Sequence, residues 1–98
     1  MHIIEVGELA ESSDALGRRL AAGHVDNVLD LSALRCLSWT AMRWLIVSLR
    51  TARSQGGSLS LIAGNEAVAK DLEATALTRI FNVYASRSDA QAELAAAA

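Results

Sequence analysis

Segment 28–47 constrains the fold of this chain more than any other part of the sequence. It begins with a short, nearly continuous apolar run, which is typical of a strand that is covered on both faces of a sheet. A loop and a Ser-Trp-Thr turn follow, and a helix-spaced apolar stripe comes after them, made of Met42, Leu45, Ile46 and Leu49. A buried strand that leads into an amphipathic helix indicates a sheet with helices packed on its faces.

The rest of the chain repeats this alternation of short strands and helices. We predict strands at 2–6, 25–31 and 59–63 with a further short one near Val83, and helices at 12–22, 40–54, 66–74 and 89–95. Short joints of this kind suit right-handed crossovers between strands. The sequence therefore predicts a single domain over residues 1–98 of the α/β class, a small mixed β-sheet of about four strands flanked by about four α-helices.

Size and charge limit the classes of function. A chain of 98 residues has room for one hydrophobic core. Its formal net charge of -2 provides no basic field for a polyanion, so we expect no nucleic-acid binding. The apolar runs are far shorter than the ~20 residues that span a bilayer, and the N-terminus has no basic leader. We expect a soluble, cytoplasmic protein that does not insert into membranes.

Reactive residues give little support for catalysis or cofactor binding. The single cysteine, Cys36, lies in an apolar neighbourhood and is expected to be a small buried hydrophobe. His2 and His24 have no ligand-spaced companions, so we expect no metal site. A Gly-x-Ser-x-Gly elbow is missing from the sequence, and Gly56-Gly57 ends a helix instead of opening one. We expect no cofactor and no enzymatic activity.

The turn before the long helix carries the residues best suited to function. Ser38 or Thr40 can cap the helix N-terminus with a side-chain oxygen. A helix N-terminus is also a favourable place for a phosphate. An exposed Trp39 beside Met42 and Arg43 has the composition of an interface hot spot, although Trp39 can instead fold back over a sheet edge. Trp44 lies among core residues and is expected to be buried.

Several motifs, in their order and spacing, resemble those of the STAS domain family. Asp30-Leu31-Ser32 resembles the Asp-Leu-Ser of the family at the end of the central strand. Ser38-Trp39-Thr40-Ala41-Met42 occupies the position of its Asp-Ser-Ser-Gly-Leu motif. Further matches are Gly7-Glu8-Leu9, Gln55-Gly56-Gly57-Ser58-Leu59 and Leu77-Thr78-Arg79-Ile80-Phe81. The resemblance covers nearly the whole chain and implies a STAS-like fold.

The resemblance also implies a function, that of a non-catalytic regulatory module similar to bacterial anti-sigma factor antagonists. In those proteins, a partner kinase that is also the anti-sigma factor phosphorylates the second Ser of the motif. That position corresponds to Thr40, which becomes the candidate phosphoacceptor. The motif is degenerate, because Ser38, Trp39 and Ala41 replace its Asp, first Ser and Gly. The implied partner-binding residues are Ser38, Trp39, Thr40, Ala41, Met42 and Arg43.

Three other readings stay open. Small STAS proteins also resemble the cytoplasmic accessory subunit of bacterial lipid-transport ABC complexes, which presents the same helix start to its ATPase. A degenerate STAS protein can also bind its partner constitutively, without phosphate at Thr40. In the simplest case, Ser38 and Thr40 are capping residues and nothing more.

Overall fold

The computed structural model of the chain describes residues 2–6 and 26–97, with side chains described up to Leu94. The predicted helix at 12–22, His24 and the Gly7-Glu8-Leu9 motif lie outside these residues. Four strands and three α-helices occur in the described part, in the order β1 His2–Glu5, β2 Asp26–Asp30, α1 Trp39–Ser54, β3 Ser58–Ile62, α2 Glu66–Ala74, β4 Asn82–Tyr84 and α3 Arg87–Ala97. A 3-10 helix, Leu77–Arg79, lies between α2 and β4. No helix within 2–6 and 26–97 combines the length and apolar character needed to span a bilayer.

The four strands form one sheet in the order β1-β2-β3-β4. In this register Leu29 of β2 lies opposite Ile4 of β1 and Leu61 of β3. The predicted α/β class is confirmed, with one difference of detail. We expected a mixed sheet, but every pairing among the described strands is parallel. The reason is that helices connect β2 to β3 and β3 to β4, and each such crossover returns the chain in the same direction.

The core lies on both faces of the sheet. Alternate residues of β2 point to opposite sides, so Leu29 faces α1 and α2 while Val28 faces α3. The larger cluster includes Leu45 of α1 and Leu72 of α2, both fully buried. The smaller cluster places Ala90 of α3 against the other face. Burial of β2 on both faces confirms the central strand that its apolar run predicts.

Local signals set the helix ends close to the predicted positions. Asn65 caps α2, and its Oδ1 accepts a hydrogen bond of 2.9 Å from the Val68 amide. Gly56 has a φ of 81°, a left-handed conformation that lets the chain leave α1 and start β3. Near the other end of the chain, Ser86 Oγ accepts a hydrogen bond of 3.2 Å from the Asp89 amide at the start of α3.

The prediction that Cys36 is buried is wrong, since its side chain is exposed. The neighbouring Leu34 and Leu37 are buried instead, three residues apart in the loop that follows β2. Cys36 lies between these two anchors and points away from the core. The side chain of Cys36 therefore points to solvent although its apolar neighbours in sequence point to the core, because the loop has no regular periodicity.

Candidate partner-binding site

Residues 31–38 form the loop that carries the chain from β2 to α1, and α2 holds this loop in place. Asn65 Nδ2 donates hydrogen bonds to the carbonyl oxygens of Leu34, at 2.8 Å, and Ser32, at 3.3 Å. The amide of Leu37 donates to Asp71 Oδ2 at 2.9 Å. Asp71 of α2 and its cap Asn65 thus satisfy backbone groups at both ends of the loop and fix the point where α1 begins.

Close packing at Gly64 adds to this support. Gly64 follows β3 and has a φ of 74°, and a Cβ placed on it would lie 2.2 Å from Ser32 Cβ. The turn after β3 therefore contacts the turn after β2 with no space for a side chain. This contact fixes the turn after β3 against the beginning of the loop that leads to α1.

Ser38 is the residue that caps α1. Its backbone is extended, with φ -75° and ψ 166°, and its Oγ accepts a hydrogen bond of 3.1 Å from the Ala41 amide. Thr40 lies inside the first turn and is exposed. Its hydroxyl forms no hydrogen bond with the described residues. Of the two hydroxyls that the sequence offered as caps, one is occupied and the other is open to solvent.

The two tryptophans have opposite environments. Trp39 is 85% exposed at the first position of α1, so it does not cover a sheet edge. Trp44 is 2% exposed and packs in the core, as predicted. Its Nε1 has no hydrogen-bond partner among the described residues. Only Trp39 is therefore accessible to another protein.

The predicted docking residues form one surface, with unequal exposure. Ser38, Trp39, Thr40 and Arg43 are exposed, and Met42 is partly buried. Ala41 is 5% exposed and packs with the core, so it offers little area to a partner. We call residues 38–43 the docking surface.

A groove of about 720 Å³ extends this surface. Its α1 wall is lined by Trp39, Thr40, Met42, Arg43 and Ile46. Its other wall comes from the end of α2 and the 3-10 helix and is lined by Ala74, Thr75 and Leu77. The sequence did not identify Ile46 or the residues of this second wall as part of the site. Ile46 was assigned to the buried stripe of α1, yet it is only partly buried and faces the groove.

The exposed side of α1 is positively charged, and Arg43 is the arginine of this side that lines the groove. Arg43, Arg50 and Arg53 are exposed along α1, which contains no acidic residue. We call these three residues the arginine stripe. They form no ion pair within residues 2–6 and 26–97. Since the first turn of α1 also lacks an acidic side chain, the positive end of the helix dipole is not neutralised locally.

A second polar cluster lies on the sheet face that α3 covers. Arg87 Nε contacts Asp30 Oδ2 at 2.8 Å, and the Arg87 guanidinium also pairs with Glu5 of β1. Burial opposes ionisation of Asp30, but hydrogen bonds from the Ser32 hydroxyl and amide and from Arg87 outweigh it and hold the pKa of Asp30 below its usual value. Hydrogen bonds to Asp30 and Glu5 raise the pKa of Arg87. This cluster joins α3 to β1 and β2.

The site presents groups that are suited to recognition of another molecule. No group of three His, Cys, Asp or Glu side chains able to hold a metal ion occurs in the described part of the chain. What the site offers is an exposed hydroxyl, an exposed indole, an apolar groove and guanidinium groups that pair with no residue of the described part of the chain. These groups are suited to binding a protein surface.

Comparison with known proteins agrees with this geometry. The family model of the STAS domain matches residues 8–90. The fold is similar to the crystal structure of a Thermotoga maritima protein provisionally described as an anti-sigma factor antagonist, with a TM-score of 0.62 and 30% sequence identity. That similarity covers 68% of this chain and 57% of the Thermotoga protein. A search of curated proteins gives no match. The resemblance seen in the motifs is confirmed, and this chain belongs to the STAS domain family, where it is similar to anti-sigma factor antagonists.

Proposed function

We propose that this protein is a cytoplasmic, non-catalytic regulatory module that docks on an anti-sigma factor with serine kinase activity. Docking uses the docking surface and the adjoining groove, and phosphorylation of Thr40 controls it. One observation carries the proposal: the Thr40 hydroxyl is exposed, unbonded within the described residues, and located between an 85% exposed Trp39 and the groove. The membership of the chain in the STAS family, and its similarity to an anti-sigma factor antagonist, support it.

Access of a kinase to Thr40 requires no unfolding of the site. Ser38 already supplies the cap, so the Thr40 hydroxyl can react without removing a hydrogen bond that the helix needs. In the reaction, Thr40 Oγ1 forms a bond to the γ-phosphorus of ATP, ADP leaves, and the hydroxyl proton is released. The loop before α1 keeps its contacts with Asn65 and Asp71 throughout.

Phosphorylation at this position is expected to disrupt the complex but not the domain. A phosphate adds about -1.5 to -2 charge units at neutral pH. At the first turn of α1 this charge interacts favourably with the helix dipole, and Arg43 lies three residues further along the same helix. A partner that packs on Trp39 and the groove would have to desolvate the dianion. The cost of that desolvation falls on the interface.

Incubation with an anti-sigma factor kinase of the same organism and ATP, followed by mass spectrometry, tests the proposal. We expect one phosphate on Thr40 in the wild type and none in Thr40→Ala, while Thr78→Ala, at an exposed threonine outside the docking surface, keeps the modification and serves as the matched control. In a binding assay, Thr40→Glu should bind the kinase at least tenfold more weakly than Thr40→Gln. Equal affinity of these two variants would contradict control by charge at this position.

The other readings give different outcomes in the same experiments. Stable co-purification with an ABC ATPase, and no binding to the kinase, would indicate an accessory transport subunit. Tight binding of the kinase without phosphate on Thr40, in cells or in the assay, would indicate constitutive docking. Both outcomes overturn the proposed switch.

A further inference from the structure

The groove and the arginine stripe together define the chemistry of the partner. We infer that the groove receives an acidic amphipathic helix of the partner protein, with its apolar face in the groove and its carboxylates toward α1. This inference rests on the proposed function, since it names what binds at the same surface.

The distribution of charge is the first argument. The chain has 11 acidic and 9 basic residues, yet α1 contains three of the basic residues and none of the acidic ones. Elsewhere in the described chain, Lys70 pairs with Glu66, and Arg87 pairs with Asp30 and Glu5. The arginine stripe has no such partners among the described residues. A helix with only positive charge on a negatively charged protein is suited to a negatively charged partner.

The spacing of these groups is the second argument. Trp39, Arg43, Ile46, Arg50 and Arg53 follow one another at intervals of four and three residues, which places them along one side of α1. Apolar and cationic side chains therefore alternate along this side of α1, where Trp39, Arg43 and Ile46 line the groove and Arg50 and Arg53 lie beyond its lining. The distance from Arg43 to Arg53 along the axis is about 15 Å, or roughly three helical turns. An occupant of that length with carboxylates at helical spacing can meet the arginines in succession.

The groove itself excludes a purely charged ligand. Met42 and Ile46 lie on one wall and Leu77 on the other, and burial of these side chains by an apolar surface is favourable. The second wall offers Ala74 and Thr75, and the acidic Glu73 precedes Ala74 in α2. Arg43 on the α1 wall is the charged residue in the lining of the groove, so carboxylates of the occupant are attracted to that wall. This polarity selects a helix with one apolar and one acidic face.

The location of Thr40 connects this inference to regulation. Thr40 lines the groove next to Trp39 and Arg43. A phosphate there places a dianion at the entrance of a site whose ligand is also negative, and it offers Arg43 a competing partner. Repulsion of the acidic helix then adds to the desolvation cost described above. Phosphorylation would therefore weaken docking more at low salt than at high salt.

Two synthetic helical peptides of 14 residues test the inference. They share the same leucine positions, and the remaining positions are glutamate in one peptide and lysine in the other. Titration into the 15N-labelled full chain is followed by NMR. We expect the acidic peptide to shift the resonances of Trp39, Ile46 and Leu77, and the basic peptide to bind roughly tenfold more weakly. The double variant Arg43→Glu, Arg50→Glu should reverse this preference.

Controls separate charge at the groove from charge in general. Arg79→Glu changes an exposed arginine outside α1 that does not belong to the arginine stripe, and it should keep the preference for the acidic peptide. Thr40→Glu should bind the acidic peptide more weakly than Thr40→Gln. Equal binding of both peptides, absence of binding, or shifts confined to residues away from the groove would each overturn the inference.

The two proposals fail in different ways. If the kinase neither binds nor phosphorylates the protein while the acidic peptide binds selectively, the proposed function is wrong. The inference that the groove binds an acidic amphipathic helix is then retained. If the kinase binds the wild type and the Arg43→Glu, Arg50→Glu variant equally, the proposed docking on the kinase is retained. The inference that the groove receives an acidic helix is then wrong. A dispersed 15N spectrum of each variant, matching the wild type away from the substitution, shows that loss of binding is not loss of folding.

Discussion

At the scale of single residues, the two hydroxyls of the docking surface have separate roles. Ser38 Oγ accepts the Ala41 amide, whereas Thr40 faces solvent. We predict that Ser38→Ala lowers the free energy of unfolding by about 1 kcal/mol through loss of the cap. Thr40→Ala should change it by less than about 0.5 kcal/mol. Urea denaturation measures both variants, and an equal loss in the two would show that Thr40 takes part in the cap.

Residue types alone predicted that one hydroxyl caps α1 but not which one. Both Ser38 and Thr40 are good capping residues, and the choice depends on where the preceding loop delivers the chain. Asn65 and Asp71 determine that point through hydrogen bonds across more than thirty residues of sequence. The prediction that Cys36 is buried was wrong for the same reason, because tertiary contacts of the loop determine which of its side chains point to the core. Trp44 was predicted correctly since the periodicity of a helix is local.

At the scale of secondary-structure elements, Arg87 and Asp30 connect α3 to the sheet. Asp30 ionises below its ordinary pKa of 3.8, because the Ser32 hydrogen bonds and Arg87 outweigh the effect of burial. A carboxylate with a lowered folded-state pKa stabilises the protein above its unfolded-state pKa, and this contribution is lost as the pH falls through the folded-state pKa. We predict that Asp30→Asn costs about 1 to 3 kcal/mol at pH 7. The difference from wild type should shrink below pH 3.8.

Urea denaturation from pH 7 down to pH 2.5 provides the measurement. Arg87→Gln is the informative companion, since it removes the cation and leaves Ser32 bonded to Asp30. The loss of stability in acid should be smaller in this variant than in the wild type. A destabilisation by Asp30→Asn that stays constant across the whole pH range would show that ionisation of Asp30 contributes nothing.

The bounds of single helices were predicted well from the sequence, whereas the groove, which forms between two elements, was not predicted. Helix α2 has the predicted bounds, Glu66–Ala74, because Asn65 supplies a cap at one end and the apolar pattern stops at the other. The groove was missed because its walls come from α1 and from the segment around Leu77, which are separated in sequence. A hydrophobic pattern gives the buried face of each helix but not the gap left between two helices when they pack.

At the scale of the whole molecule, control by phosphorylation requires that a large change of surface charge leaves the fold intact. The chain carries a net charge of -2, so further negative charge is unfavourable in general. The start of α1 is a local exception, because its first turn has no acidic residue and Arg43 follows Thr40 by three positions. The opposite end of the same helix, at Ser54, lies near the negative end of the dipole.

This contrast gives a test in which the helix provides its own control. We predict that Thr40→Glu is as stable as Thr40→Gln or more stable by up to about 1 kcal/mol, whereas Ser54→Glu is less stable than Ser54→Gln by less than about 0.5 kcal/mol, because attraction to Arg50 four residues earlier partly offsets the repulsion by the dipole. Comparing glutamate with glutamine at each position isolates the charge from the size of the side chain. Both differences should decrease in 1 M salt, where screening extends over only ~3 Å. If Thr40→Glu instead destabilised the domain, phosphorylation would act by loosening α1. The proposal that the domain stays folded and releases its partner through a change of surface charge would then be wrong.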